Sequence, residues 1–346
     1  MIQPQLLSLF TAFRSRQREE ADTSDTMVHS HRPRVSYRLG RGIALLLLIS
    51  ATSLGVSAAV PLSETEIQSV VTRSVDKAVK DFSSQQLKRE EVAVTLVDLT
   101  DSAHPARASF RGSERIYPAS VVKMFYLAAA HRWMEDKRLQ DTPELRRAMK
   151  DMIVESYNEA THYVLDMLTG TTSGPELPDA ELAEWFTRRN VVTDYFRGLG
   201  YTNVIAHKKP WCEGPYGRES QAIHAFEPKR NFLSTDDTAR LLVEIALGKC
   251  VTPARSTEMM ELMKRDPFAT GGDIEDQARG FTGQALKPGD KLWSKAGWTS
   301  QTRHDAAYVE LPNGRKFVLV AYTENHANER KILATIAGEV REAFAK

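Results

Sequence analysis

Apolar and polar positions change their spacing twice along the chain. Residues 64–82, ETEIQSVVTRSVDKAVKDF, carry apolar side chains at helical spacing behind Ser63, a residue type that caps helices, and they predict a first helix. Two β-type runs follow, VAVTLVDL at 92–99 and ARASFRG at 106–112, and they predict an early pair of strands.

The middle of the chain, from residue 120 to about residue 264, is mostly helical in pattern. The helical runs are ASVVKMFYLAAAHRWMED, TPELRRAMKDMIV, EATHYVLDML, DAELAEWFTRRNVVTDYFRGLG and STDDTARLLVEIALG. The last run opens with a capping box, Ser234 with Asp237. Between Gly200 and Ser234 lies a long irregular segment rich in Pro, Gly, Lys and His, and loops of that length are usually functional or disordered.

Strand patterns return near the C-terminus in KLWSKAGW, AAYVEL and KFVLVAYTE, and ERKILATIAGEVREAFA predicts a final helix. We therefore predict an α/β fold in which helices flank an antiparallel sheet built from both chain ends. An all-helical subdomain is inserted between them. In this prediction one domain spans 60–346, with an α/β half at 60–119 and 285–346 and a helical half at 120–284. A cleft between the halves is the expected place for a site.

The N-terminal segment is different in kind. Residues 42–63 carry no charge, follow a stretch with four arginines, and pass from IALLLLI into the small-residue run GVSAAVP. This pattern predicts that 1–59 is an extension with a cleaved secretory signal peptide, and hence a periplasmic or secreted protein. A membrane anchor retained at 42–63 is the alternative. Met27 is a second candidate for the start of translation.

Charge and composition exclude some partners. With 46 basic and 45 acidic residues, and no run of five like charges, the chain has no electrostatic footprint for nucleic acid. We expect a monomer that acts on a small molecule and meets a membrane only through an uncleaved leader. The nine histidines show no metal-ligand spacing, so neither a metal nor a cofactor is expected. Cys212 and Cys250 either pair in an oxidising compartment or remain buried thiols.

The first chemical candidate is Ser120 with Lys123, in YPASVVKMFYLAAA at 117–130. Three residues apart at the start of a helix, the two side chains share one face. A desolvated lysine can act as the base that turns a serine hydroxyl into a nucleophile, and a helix N-terminus adds backbone N–H groups. The same spacing at Ser74 and Lys77 lies within a polar amphipathic helix, where we expect structural roles only.

Two further motifs follow in order. Ser156-Tyr157-Asn158 stands at a break between helical runs, and Lys295-Ala296-Gly297 stands in a strand-like stretch where Gly297 would let a substrate lie close to the strand edge. A second Lys-x-Gly sequence at 287–289 contains a proline in the middle and predicts a turn.

Ser-x-x-Lys, Ser-x-Asn and Lys-x-Gly in this order resemble the penicillin-recognising serine enzymes, and most closely the class A β-lactamases, over residues 64–346. The resemblance implies that Ser120 is the nucleophile and Lys123 its base or proton relay. Ser156 would pass a proton to the leaving nitrogen, Asn158 would hold Lys123 and the substrate amide, and Lys295 would supply positive potential.

The resemblance also implies an oxyanion hole made by the backbone N–H groups of Ser120 and Trp298. Arg303 lies about where some members place an arginine for the substrate carboxylate, and its alternative is an exposed arginine at a strand end. Trp211 and Tyr216 are candidates for an aromatic gate, with ordinary loop packing as the alternative.

Two positions bear on the substrate. Glu227-Pro228 with Asn231 matches the spacing of the family's Ω-loop, so Glu227 would activate the deacylating water and Asn231 would contact the substrate. The alternative for Glu227 is a loop glutamate in a salt bridge. Ala296 replaces the usual Thr or Ser, whose hydroxyl helps to bind a substrate carboxylate, and that loss is worth about 1 kcal/mol.

The expected function is that of an exported serine hydrolase with a Ser120 acyl-enzyme, and β-lactam ring hydrolysis is the leading activity. The small-molecule substrate would be a β-lactam or a peptidoglycan-like peptide. The alternatives are a D-alanyl-D-alanine carboxypeptidase, another serine amidase or esterase, and a penicillin sensor that does not turn over.

Overall fold

Six strands form one antiparallel sheet to which both ends of the described chain contribute. A computed structural model of the protein describes residues 59–211, 214–271 and 276–346. The strands lie in the order β2-β1-β6-β5-β4-β3, with every neighbouring pair antiparallel. Their bounds are β1 Val92–Asp98, β2 Ala106–Phe110, β3 Lys264–Arg265, β4 Lys291–Trp298, β5 Thr302–Glu310 and β6 Lys316–Glu324.

Ten α-helices occur in the described residues. They are α1 Glu64–Asp81, α2 Lys123–Glu135, α3 Pro143–Lys150, α4 Asn158–Thr169, α5 Asp179–Arg189, α6 Val191–Gly198, α7 Gly217–Ala225, α8 Thr235–Ala246, α9 Pro253–Met263 and α10 Lys331–Ala345. Short 3₁₀ turns cover Ser83–Gln85, Arg89–Glu91, Ala119–Val122 and Thr282–Ala285, and a π-helical turn covers Asp151–Glu155.

Strand alternation divides the apolar side chains between two cores, one on each face of the sheet. The outer core lies under α1 and α10 and takes Leu96, Ala307 and Leu319 from successive strands. The inner core joins the other face to α2, α3, α4, α6, α8 and α9 through Ala306 and Tyr322, while α5 and α7 share a separate small cluster. This architecture confirms the predicted fold class, and it places α2 and the turn before it directly against the inner face.

The first helix confirms its sequence signals. Ser63 and Glu66 form a reciprocal capping box at the start of α1. Ser74 is buried and donates to the carbonyl of Val71, while Lys77 pairs with Asp81 at 2.8 Å. These contacts agree with the structural roles expected for this second serine–lysine pair.

Three details differ from the prediction. The sheet also includes the two-residue strand β3, which falls inside the segment expected to be helical. Ser234 caps α8 by accepting from the N–H of Asp237, but the Asp237 carboxylate accepts from the N–H of Asn203 instead of completing the box. The described part of the long 200–234 segment contains α7. An Ile205–Phe232 bridge closes it on itself, and an Ile116–Leu233 bridge ties it to the chain just before Ser120.

Some sequence predictions fall outside the described residues. The signal peptide, nearly all of the alternative anchor, Met27 and Cys212 lie in residues 1–58 or 212–213. Cys250 is a buried free thiol. Within the described ranges, no helix has both the length and the apolar character needed to cross a bilayer.

Candidate active site

Ser120 lies in the 3₁₀ turn that leads into α2, and its side chain is partly exposed. The preceding residue, Ala119, adopts a left-handed backbone conformation with φ of 46°, which is uncommon for a residue with a Cβ. Such backbone strain is frequent at functional sites. As the second residue of the turn, Ser120 has a backbone N–H without a partner inside its own helix.

Lys123 is fully buried at the start of α2, one turn after Ser120. Its Nζ donates to the backbone carbonyl of Ser156 at 2.5 Å, to the Ser156 Oγ at 3.2 Å and to the Asn158 Oδ1 at 2.9 Å. A buried amine needs such acceptors because it has lost water. The Ser-x-x-Lys and Ser-x-Asn motifs are therefore brought together by direct hydrogen bonds.

Ser156 lies between two lysines. It follows the π-helical turn in a left-handed conformation, φ 59°, which turns the chain before α4 begins. Its Oγ is 3.2 Å from the Nζ of Lys123 and 3.1 Å from the Nζ of Lys295. A hydroxyl placed between two amines can receive a proton from one side and pass it on.

Lys295 is the second buried amine of the cluster. Burial lowers its pKa well below the usual value, and the positive charges of Lys123 and Arg265 lower it further. The Nζ donates to the Ser156 Oγ, to the Gln277 Oε1 at 2.5 Å and to the carbonyl of Ala296 at 2.6 Å. These three acceptors favour the charged form and hold the amine in place.

Gln277 and Arg265 are site residues that the motifs did not reveal. The Gln277 Oε1 accepts from Lys295 and from the N–H of Ala296, and its Nε2 donates to the carbonyls of Ile153 and Val154. Arg265 donates to the carbonyls of Ser294 and Ile153. Both side chains tie β4 to the turn that carries Ser156. No local sequence signal marks either one, because their partners lie in distant segments.

Gly297 brings β4 against the nucleophile. A Cβ on this residue would lie 2.8 Å from the backbone nitrogen of Ser120, 2.8 Å from the carbonyl oxygen of Pro118 and 2.9 Å from the nitrogen of Val121. The expected role was close approach of a substrate. The close neighbour is in fact the Ser120 turn itself, so the absence of a side chain lets strand and nucleophile meet.

Ala296 and Arg303 do not face the inner side of the sheet. Ala296 packs in the outer core opposite Asp305. Arg303 is buried over the ring of Phe281, 4.2 Å from its centroid, and donates to the carbonyl of Gly280. This placement differs from the predicted anion partner, because strand alternation directs position 303 to the outer face and His304 to the inner face, where its ring is buried.

The predicted Ω-loop residues are separated in the structure. The Glu227 side chain is 75% exposed and, in the described part of the chain, forms its ion pair with Lys229 at 3.6 Å. That contact corresponds to the alternative of a loop salt bridge. Asn231 is buried, and its amide holds the loop by accepting from the N–H groups of His207 and Lys208 and donating to Tyr126. Its side-chain amide thus forms hydrogen bonds with protein groups on both its oxygen and its nitrogen.

Aromatic rings stand at the rim. Trp298 is 47% exposed at the end of β4, and its ring centroid is 5.6 Å from that of Phe281. The ring centroids of Trp211 and Tyr216 are 5.9 Å apart, and Trp211 lines a cavity beside Ser120. Loop residues thus contribute to one wall of the cleft.

These groups can perform acyl transfer. A partly exposed serine precedes a buried lysine by one turn, a second hydroxyl joins that lysine to another, and a strand edge abuts the serine amide. An α/β fold with a serine–lysine site of this kind defines a class of serine hydrolases.

A family comparison identifies the chain within that class. Residues 74–344 match the model of the beta-lactamase enzyme family, and the chain belongs to this family. It is a β-lactamase-like serine hydrolase. No curated protein shows significant sequence similarity to the chain.

Solved structures share the fold. A β-lactamase from Sphaerobacter thermophilus superposes with a TM-score of 0.55 at 17% identity, covering 79% of this chain and 97% of that one. A β-lactamase from Xanthomonas campestris gives 0.57 at 16% identity, with 79% and 98% covered. PBP-A gives 0.54 at 18% identity, with 80% and 97% covered.

Proposed function

We propose that the protein recognises β-lactams or related acyl-peptides and forms an acyl-enzyme at Ser120, with β-lactam hydrolysis as the leading activity. The observation that supports this most is the triple contact of the Lys123 amine with the carbonyl and hydroxyl of Ser156 and with Asn158. It joins two motifs that lie more than thirty residues apart in the chain.

In this proposal Lys123 takes the proton of the Ser120 hydroxyl as the oxygen attacks the carbonyl carbon. The carbonyl oxygen receives hydrogen bonds from the N–H groups of Ser120 and Trp298 as it becomes negative. Ser156 donates its proton to the leaving nitrogen and recovers one from Lys123, so the proton removed from Ser120 ends on the leaving group. Lys295 stabilises the negative charge that the substrate brings into the cleft.

Deacylation needs a water and a base. Glu227 was the predicted base, and in the proposal its carboxylate would have to leave Lys229 and the solvent to serve. The exposed position instead supports slow deacylation, with Lys123 as the base close to the ester. A long-lived acyl-enzyme favours a second candidate, D-alanyl-D-alanine carboxypeptidase activity with penicillin as a trapping ligand. An acyl-enzyme with penicillin G is known for a variant of PBP-A.

One experiment separates these activities. The purified protein is mixed with a chromogenic cephalosporin and, separately, with a fluorescent penicillin. Turnover of the cephalosporin supports the lactamase, and stoichiometric labelling without turnover supports the peptidase or sensor. Ser120→Ala must abolish either signal, while Ser74→Ala must keep it. Labelling that survives in Ser120→Ala contradicts the proposal.

We further propose that the protein is exported, because the basic, apolar and small-residue order of residues 32–61 is that of a secretory leader. Mass spectrometry of the mature N-terminus tests this. A chain that begins near residue 59 supports cleavage, whereas a full-length membrane-bound chain supports the anchor.

A further inference from the structure

A cavity of about 550 Å³ opens beside Ser120 and has a strongly basic wall. Tyr117, Ala119 and Val122, all within three residues of the nucleophile in the chain, line one side of it. Its other side comes from residues within 208–211 and 215–231, among them four cationic residues, namely Lys208, Lys209, Lys229 and Arg230. No carboxylate is among the described residues that line it.

Two of these cations are already neutralised. Lys209 pairs with Asp166 at 2.7 Å and lies 3.5 Å from Glu219, and Lys229 pairs with Glu227. For Lys208 and Arg230, the described residues provide no carboxylate within ion-pair distance. The cavity wall therefore carries two positive charges without a direct counter-ion.

The wall and the protein directly behind it have an excess of buried positive charge. Lys208 and Lys209 on the wall and Arg189 behind it are three buried cations, and the two nearby carboxylates, Asp166 and Glu219, form ion pairs with Arg189 and Lys209. The Arg189 Nη2 is 2.7 Å from the Glu219 Oε1, so that carboxylate is shared with Lys209. Keeping an unpaired cation out of water is costly, and an anion in the cavity would remove that cost.

Lys208 is held rigidly at its backbone. Its N–H donates to the Asn231 Oδ1 at 2.8 Å, and its carbonyl accepts from the Tyr126 hydroxyl at 2.8 Å and from the Asn231 Nδ2 at 2.9 Å. Its Nζ lies 5.8 Å from the ring centroid of Phe186. Burial lowers the pKa of this amine to about 8, so it is still mostly protonated at neutral pH.

The cavity is on the acyl side of the nucleophile if Ser156 serves the leaving group. Its lining includes neither Ser156 nor Lys295 nor any residue of β4. The group bound there would therefore stay attached to Ser120 after the first step. This assignment rests on the proposed function.

We propose that the cavity is an anion-binding subsite for the acyl part of the substrate, and that Lys208 and Arg230 select acyl groups carrying a carboxylate. The preferred substrate is then an amide or lactam whose acyl side chain is itself anionic. Charge-assisted hydrogen bonds from the buried Lys208 and the exposed Arg230 would bind the carboxylate.

A matched pair of penicillins tests this. Benzylpenicillin and α-carboxybenzylpenicillin share ring and leaving group and differ by one carboxylate on the acyl side chain. The ratio of their second-order acylation rate constants is measured for the wild type, Lys208→Met, Arg230→Gln and the control Lys80→Met, which changes an exposed lysine on α1. We expect a preference of about tenfold for the dianion in wild type and control, falling to about threefold or less in both test variants.

The outcomes are distinct. Equal rates for the two penicillins in wild type, or an unchanged ratio in Lys208→Met and Arg230→Gln, would overturn the subsite. Arg230 is exposed, so its variant keeps the test available if Lys208→Met fails to fold.

If neither penicillin acylates Ser120, the proposed function fails. Calorimetry that compares the binding of phenylmalonate with that of phenylacetate then tests the cavity by itself. Tighter binding of phenylmalonate that is lost in Arg230→Gln supports the subsite, and equal binding of the two acids overturns it.

Discussion

A Cβ on Gly297 would lie 2.8 Å from the backbone nitrogen of Ser120. The strand that carries Lys295 therefore meets the nucleophile's own peptide, and glycine is required by this contact. This contact gives the two motifs complementary roles. The Ser-x-x-Lys motif supplies the attacking hydroxyl, and the glycine of the Lys-x-Gly motif lets β4 pack against the backbone N–H of the same serine.

Gly297→Ala should lower the acylation rate about 100-fold, the effect of losing one donor to the developing oxyanion. The added methyl either pushes β4 from the Ser120 turn or covers the Ser120 N–H. Stopped-flow labelling with a fluorescent penicillin measures the rate. Gly338→Ala in α10, where a Cβ meets nothing within 4 Å, is the matched control and should label normally. If Gly297→Ala is labelled as fast as wild type, the Ser120 N–H does not serve as a donor to the oxyanion.

Gln277→Ala should slow acylation about tenfold and destabilise the fold by about 2 kcal/mol, because it leaves buried donors and acceptors of β4 and the Ser156 turn unpaired. It also removes an acceptor from the Lys295 ammonium, which disfavours the charged form. The alkaline limb of the pH–rate profile should therefore move to lower pH.

A purely structural role for Gln277 would lower stability and leave that limb unchanged. Urea unfolding and acylation rates between pH 6 and 10 separate the two cases. Gln284→Ala, at an exposed position, serves as the control for both measurements.

Glu227→Gln should change the deacylation rate less than about twofold, since the carboxylate is exposed and pairs with Lys229. Intact-protein mass spectrometry after a penicillin pulse follows loss of the acyl group. A variant that accumulates acyl-enzyme while wild type turns over would show that the loop moves inward and that Glu227 is the base predicted from its spacing.

Ala296→Ser should raise stability by about 1 kcal/mol. Ala296 pairs directly with Asp305, whose buried Oδ1 has no hydrogen-bond partner, and burial raises the pKa of that carboxyl. A hydroxyl at 296 can donate to this oxygen across the strand pair. Calorimetry should show a higher Tm for Ala296→Ser and a lower one for Ala306→Ser, which lies on the opposite face. A loss of stability at 296 would refute the pairing.

The sequence predicts the parts of the site whose chemistry depends on local spacing. Ser120 with Lys123 and Ser156 with Asn158 are each one helical turn or less apart, and Lys123 joins the two pairs through its hydrogen bonds to Ser156 and Asn158. The fold class follows equally well, because strand and helix periods differ along the chain. Lys295 is found by its motif, although its partner Gln277 is not.

Residues whose roles depend on tertiary register are missed. Arg303 and His304 are neighbours, and only the alternation of β5 decides that the histidine faces the inner core. Gln277 acts through contacts with residues 124 and 18 positions away, and the charge excess around Lys208 exists only once α5, α7 and the loop have met. Single-sequence patterns carry no information on such distances.

His304 makes the Ser120 turn sensitive to acid. Its Nε2 donates to the carbonyl of Tyr117, its Nδ1 accepts from the N–H of Thr323, and burial lowers its pKa to about 4 from 6.5. The unfolded chain therefore binds more protons than the folded one between about pH 6.5 and pH 4. The contribution of His304 to the free energy of unfolding is therefore fully present above about pH 6.5 and is lost as the pH drops through that window.

The contribution of His304 is at most about 3 kcal/mol, from 1.36 kcal/mol per pKa unit. Urea unfolding at pH 7 and pH 4.5 should show a smaller loss for His304→Gln than for wild type, since glutamine keeps a donor and an acceptor without titrating. His104→Gln, which changes an exposed histidine, should lose as much unfolding free energy between pH 7 and pH 4.5 as wild type does. Burial also lowers the pKa of His131 to about 4 and that of His207 to about 3, so part of the acid sensitivity must remain in the His304 variant. An unchanged loss in His304→Gln would mean that this ring is not what couples the Ser120 turn to pH.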